Sequence, residues 1–267
     1  MRLHRWNNRG ERKESLACVV RLYRTLCARA TGETVVTRFN TTRWSLILEA
    51  RQPETARTAL EQICGAYRGP VLAYVCRHGY SKDDAEDLTQ DFFARLLERR
   101  WDTVVDPARG RFRSFLLTAL QRFLIDARHS TGAQKRGGGQ RQATMDPCTD
   151  VAAPDNDSPE QAFDRAWALT VLDRSYHRLR DEAQRAGKRE LFDRLEAYIA
   201  EPADSADYTR LSQELGVRAN TIAVSVHRLR VRLRELVREE LADTTGSEAD
   251  LMEELHVLRS VLGGADY

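Results

Sequence analysis

Asn220, Thr221, Val224, His227 and Arg228 fall on one face of a predicted helix that starts at Ala219. These are side chains that read the edges of DNA bases. An asparagine pairs with adenine, an arginine with guanine or phosphate, and a small apolar group touches a thymine methyl. Arg218 and Arg230 accompany them, and Arg232, Arg234 and Arg238 add charge suited to backbone phosphates. The opposite face carries Ile222, Val226, Leu229 and Leu233, spaced to pack into a core. Just upstream, Tyr208–Leu215 predicts a short helix, and Gly216-Val217 a tight turn. Helix, glycine turn and basic helix form the order of a helix-turn-helix, whose second helix enters the major groove. The plainer alternative is a helical hairpin with a solvated basic face.

A second constellation is acidic. Over Lys82–Arg99, Ala85, Leu88, Phe92 and Leu96 share one face at about 100° per residue. Asp84, Asp87, Asp91 and Glu98 form a stripe beside it. Ser81 is placed to cap this helix, with Asp83 and Asp84 in its first turn. Such a stripe repels DNA, so it is either solvated or faces a basic protein. Thr89 on the same helix is a candidate phosphorylation site, since a phosphate adds about −1.5 to −2 charge. The helical wheel, however, puts it nearer the apolar face, which favours a buried structural role.

The third constellation is a predicted helix over Phe112–Arg128. Phe112, Phe115, Leu116, Ala119, Leu120, Phe123 and Ala127 make its apolar face. Arg111, Arg113, Arg122 and Arg128, with Lys135 and Arg136 in the glycine-rich tail beyond, are candidates for phosphate contact. The alternative is again a solvated basic face.

These helices sit in a chain of 267 residues, enough for two domains. Long Ala/Leu/Arg/Glu segments and only 15 glycines and 7 prolines point to an all-α fold. The net charge of +2 conceals segregation: two basic stretches alternate with acidic ones at 144–164 and 239–267, as a polyanionic partner would require. Residues 1–37 read as a disordered arm or the product of a start placed too far upstream. A first helical domain is expected over 40–142, a flexible acidic linker over 143–159, a second helical domain over 160–241 and an acidic extension over 242–267. That extension either folds back over the second basic helix or simply caps the domain. Cys18, Cys27, Cys64, Cys76 and Cys148 form no CxxC pair, which favours reduced thiols. No apolar run approaches the roughly 20 residues of a membrane span, and no signal peptide is visible, so a cytoplasmic location is expected.

With these residues in hand, the chain resembles the extracytoplasmic-function type of RNA polymerase sigma factor, in the sigma-70 family. Tyr208–Arg234 looks like region 4, which binds the −35 promoter element. The run Asp83-Asp84-Ala85-Glu86-Asp87-Leu88-Thr89-Gln90-Asp91-Phe92-Phe93-Ala94-Arg95-Leu96-Leu97 is similar to region 2.2. In that family this helix docks on the clamp helices of core polymerase. Phe115–Arg128 stands where regions 2.3 and 2.4 melt and read the −10 element, although Phe115 and Arg122 replace the usual Trp and Asn. The Lys135-Arg136-Gly137-Gly138-Gly139 and Val226-His227-Arg228-Leu229-Arg230 runs look like a subgroup often encoded near Ser/Thr protein kinases.

The resemblance therefore implies two helical domains, with Asp84, Asp87, Asp91 and Glu98 on polymerase. Arg111, Arg113, Arg122, Arg128, Lys135 and Arg136 would meet the −10 element, and Arg218, Asn220, Thr221, Val224, His227, Arg228 and Arg230 the −35 element. It implies no cofactor and no metal, and leaves room for an anti-sigma factor or a kinase as partner. An enzyme is disfavoured, because the acids lie along one helix without a companion motif and no P-loop, GxSxG or HExxH occurs. The sharper rival is a stand-alone helix-turn-helix regulator, which would have no need of the acidic helix.

Overall fold

The computed structural model describes residues 56–98, 111–134, 157–200 and 205–262, and every regular element among them is a helix. In order these are α1 (Ala56–Arg77), α2 (Lys82–Glu98), α3 (Phe112–Gln134), α4 (Pro159–Arg185), α5 (Arg189–Ala200), α6 (Ser205–Leu215), α7 (Ala219–Ala242) and α8 (Glu248–Val261). The expected all-α class is thus observed. The arm over 1–37, most of the acidic linker, and Lys135 and Arg136 lie outside the described residues.

Local chemistry sets the helix ends. Gly79 takes a positive φ of 83° and stops α1, a backbone state that side chains resist. Ser81 then caps α2 as its spacing predicts, its hydroxyl oxygen accepting from the Asp84 amide at 3.2 Å. Ser158 and Gln161 close a capping box at α4: the Gln161 amide donates to Ser158 Oγ, and the Ser158 amide to Gln161 Oε1. Helix α3 continues past the predicted stop at Arg128, because no proline interrupts it and the Gly-rich run starts only at Gly137.

The chain separates into two compact units. The first comprises Arg38–Thr170 and Leu241–Val257. Its core is aromatic: Tyr67 meets Phe112 edge-on at 5.0 Å between ring centroids, and Phe92 meets Phe123 at 5.6 Å. Ala85, Phe92 and Leu96 of α2, and Phe112, Leu116, Ala119, Leu120 and Phe123 of α3, are buried along the predicted faces. The second unit comprises Val171–Glu240 and Leu258–Tyr267. Leu179, Phe192, Ile199, Leu233 and Leu236 form one of its clusters, and Leu195, Leu211, Ile222 and Val226 another. Leu229 packs against both.

The division differs from the expected one. The units part inside α4, between Thr170 and Val171, and not at the linker. The first turns of α4 bury Ala162, Phe163 and Trp167, and Phe163 stands edge-on to Tyr74 of α1. Linker composition marks where the chain is polar; it does not say which core the next helix will join. Among the described cysteines, Cys64 is free, and burial raises its thiol pKa.

Candidate nucleic-acid interface

In the second unit, α6 and α7 form a helix-turn-helix arrangement. Gly216 adopts a φ of 65°, so the chain reverses between the helices without steric strain. Ser212 fastens the turn by donating its hydroxyl to the Val217 carbonyl at 2.6 Å. The Arg218 carbonyl accepts from the Thr221 amide at 2.8 Å and starts α7. Ile222, Val226 and Leu233 are then buried, which turns the other face outward. Asn220, Thr221, His227 and Arg228 are exposed on it, Arg218 is exposed just before it, and Val224 retains 40% exposure. The side chains of Arg218, His227 and Arg228 have no partner among the described residues.

Two arginines expected to face DNA are committed inside the protein. Arg230 donates to the carbonyls of Tyr198 at 2.7 Å and Ile199 at 3.2 Å, satisfying the last turn of α5. Arg232 grips both oxygens of Glu182 at 2.8 and 2.9 Å and also reaches Glu235 and Glu239. The bond that Arg232 donates to Glu182, with the other carboxylates, holds Arg232 well above its ordinary pKa; in return Arg232 lowers that of Glu182. Helical periodicity gave both arginines a surface, but neighbouring carbonyls and carboxylates claim their donors.

The arginines of α3 divide similarly. Arg122 is exposed with no partner among the described residues, beside Ile125 at 51% exposure. Arg128 is exposed but hydrogen-bonds His78 at 3.0 Å and lies over the Tyr80 ring. Burial, then the Arg128 charge, depress the pKa of His78. Arg113 corrects the expectation of phosphate contact. It is 7% exposed, pairs with Asp164 and with Glu254 at 2.8 Å, and lies 4.9 Å from the centroid of the Trp167 ring. Burial acts to lower its pKa, but the two carboxylates outweigh this and leave it raised. Arg111 meets Glu253 at 2.8 Å and Glu254 at 3.7 Å. The acidic C-terminal extension thus meets α3, where the sequence allowed it to screen α7.

On α2, Asp84, Asp87 and Asp91 are exposed along one side, while Glu86 pairs with Arg68 of α1. Asp84 accepts from the Ser81 hydroxyl at 2.8 Å; Asp87 and Asp91 have no partner among the described residues. The Glu98 side chain lies outside the described set. Thr89 has no exposed surface, and its hydroxyl donates to the Ala85 carbonyl at 2.7 Å. A kinase cannot reach a buried, bonded hydroxyl, so the phosphorylation reading gives way to the structural one.

Sequence reasoning missed Ser212 as the fastening of the turn, although a hydroxyl one helical turn ahead of Gly216 was a readable signal.

Residues 64–133, which span most of α1, all of α2 and all but the last residue of α3, match the family Sigma-70 region 2. That match, on an all-helical fold, supports an RNA polymerase sigma factor, a factor of transcription initiation. More particularly, the chain is similar to the ferric citrate uptake sigma factor FecI of Escherichia coli (strain K12). The two are 25% identical over 173 residues, covering 64% of this chain and 87% of that protein. This likeness supports the extracytoplasmic-function type. No solved structure matches the chain significantly. None of its described helices is long and apolar enough to cross a membrane.

Proposed function

We propose that this chain docks on core RNA polymerase through the acidic side of α2, opens the −10 element with the outer face of α3, and reads the −35 element as duplex with α7. The observation that carries this reading is the region 2 match over a helix whose Asp87 and Asp91 stand exposed, with no partner among the described residues. An acidic stripe cannot face DNA favourably, and a basic clamp helix is its natural complement. On α3, Arg122, Arg128 and the apolar Ile125 remain to meet a melted strand. On α7, Asn220, Thr221, Val224, His227 and Arg228, with Arg218, offer the groove-reading set. The protein works in the cytoplasm, where polymerase is. Its membership of the kinase-associated subgroup, and control by an anti-sigma factor or a kinase, belong to this proposal, with any phosphorylation falling elsewhere than Thr89.

Run-off transcription by core polymerase on promoters of the same genome tests the reading. Specific start sites are expected only when the protein is added, and are expected to vanish when Asp84, Asp87 and Asp91 are all changed to Lys. Tight duplex binding by the protein alone, with no start sites, would replace this reading with a stand-alone helix-turn-helix regulator.

A further inference from the structure

Three consecutive residues at the start of α3 are held by the segment that follows α7. The Phe112 amide donates to the Thr244 carbonyl at 3.2 Å. Arg113 is clamped by Glu254 from one side and Asp164 from the other. Arg111 reaches Glu253 and Glu254. Leu251 and Leu255 are buried on the same helix, and Ser247 caps it by accepting from the Asp250 amide at 3.1 Å. The segment is therefore a built part of the first unit.

The two arginines it meets differ in kind. Arg113 and Glu254 are buried and Asp164 is partly so, and burial lifts both carboxyls above their ordinary pKa despite the arginine between them. Breaking such a cluster strands a buried charge, so it acts as a fixed anchor. The Arg111–Glu253 pair is open, with Glu253 at 66% side-chain exposure. A pair of that kind is weak and is exchanged readily for another anion.

From this we infer that the C-terminal segment is an internal competitor for nucleic acid. Anchored through Arg113, it presents Glu253 to Arg111 where a phosphate of the melted strand would otherwise bind. The inference rests on the sigma-factor reading, because it takes the basic face of α3 to be a DNA face. It assigns the acidic extension the role of weakening contact between the free protein and single-stranded DNA. A sufficiently dense array of phosphates, as on an opened promoter, displaces Glu253 without unfolding the anchor.

The test is binding of the full chain to a fluorescent single-stranded oligonucleotide, followed by anisotropy over a salt series. Glu253→Gln leaves the anchor intact and is expected to tighten binding about threefold to fivefold, the range of an exposed ion pair. It should also steepen the log–log salt dependence by about 0.7, the contribution of one additional phosphate contact on a single strand. Glu248→Gln, a neutralisation on the same helix without an arginine partner, serves as control and should change little. Arg111→Gln added to Glu253→Gln should cancel the gain. An unchanged affinity on Glu253→Gln, an equal gain from Glu248→Gln, or a gain that survives Arg111→Gln would each overturn the inference. Any of these, with run-off transcription intact, would leave the sigma-factor reading standing; loss of both would remove the reading itself.

Discussion

Along α3, Arg113 is enclosed between Asp164 and Glu254 while Arg122 stands in solvent; along α7, Arg228 stands in solvent while Arg230 closes the end of α5. Both helices are basic and amphipathic, and on both the arginines divide between holding the protein together and remaining available. The means differ. At α3, the committed arginines meet carboxylates from α4 and α8, distant in sequence. At α7, the commitment of Arg230 is to backbone carbonyls, while Arg232 gathers carboxylates from α4 and from its own helix. The lesson is that a basic helical face counts potential phosphate contacts from above; the carboxylates and unsatisfied carbonyls around it set how many remain.

The largest effect that tests this comparison is at Arg113. Arg113→Ala is expected to cost about 3–5 kcal/mol, because it leaves the buried Glu254 and the partly buried Asp164 without their cation. Urea unfolding measures it. A loss below about 1 kcal/mol, typical of an exposed pair, would put Arg113 back among the surface arginines.

An intermediate effect separates Arg228 from Arg230. Arg228→Ala should leave stability within about 0.5 kcal/mol, as for an uncommitted surface residue. It should weaken duplex −35 binding in the polymerase complex by about 1–3 kcal/mol. Arg230→Ala should do the opposite, costing about 1.5–3 kcal/mol of stability through its charged hydrogen bonds. If both variants lose DNA binding equally with no change in stability, the distinction drawn along α7 fails.

The smallest effect is the pH dependence, and its sign differs between the two regions. Burial raises the Glu254 and Asp164 carboxyls above their ordinary values of 4.5 and 3.8. The folded protein then holds those protons more tightly than the unfolded chain. Their stabilising contribution is complete below the ordinary values and fades as pH rises through the folded ones. Glu182 is the reverse, since the hydrogen bond from Arg232 lowers its pKa below 4.5. Its contribution is present above 4.5 and is lost as pH falls through the folded value. Urea unfolding from about pH 3 to 7 should show Glu254→Gln flattening the decline above 4.5, and Glu182→Gln flattening the acid-side loss by under about 1 kcal/mol. Matching slopes in both variants would erase the contrast.

Much of this was legible in the sequence because it depends on near neighbours. The apolar repeats of α2, α3 and α7 fixed which face would be buried, and Ser81 and Gly216 fixed where helices begin and turn. The helical wheel also placed Thr89 on the packed side, where it is found. Exposed Asn220, Thr221, Val224, His227 and Arg228 followed from the same periodicity.

What only the tertiary structure decided are the partners that come from far along the chain. Arg113 and Glu254 are 141 residues apart, and no helical period relates them. Nor does composition reveal that the first turns of α4 and the segment after α7 join the unit that contains α3. Helical periodicity acts over a few residues and specifies a face. Desolvation and charge pairing act between whichever side chains the packed helices bring together, and those forces determine whether an arginine on that face is a strut or a hand free to bind.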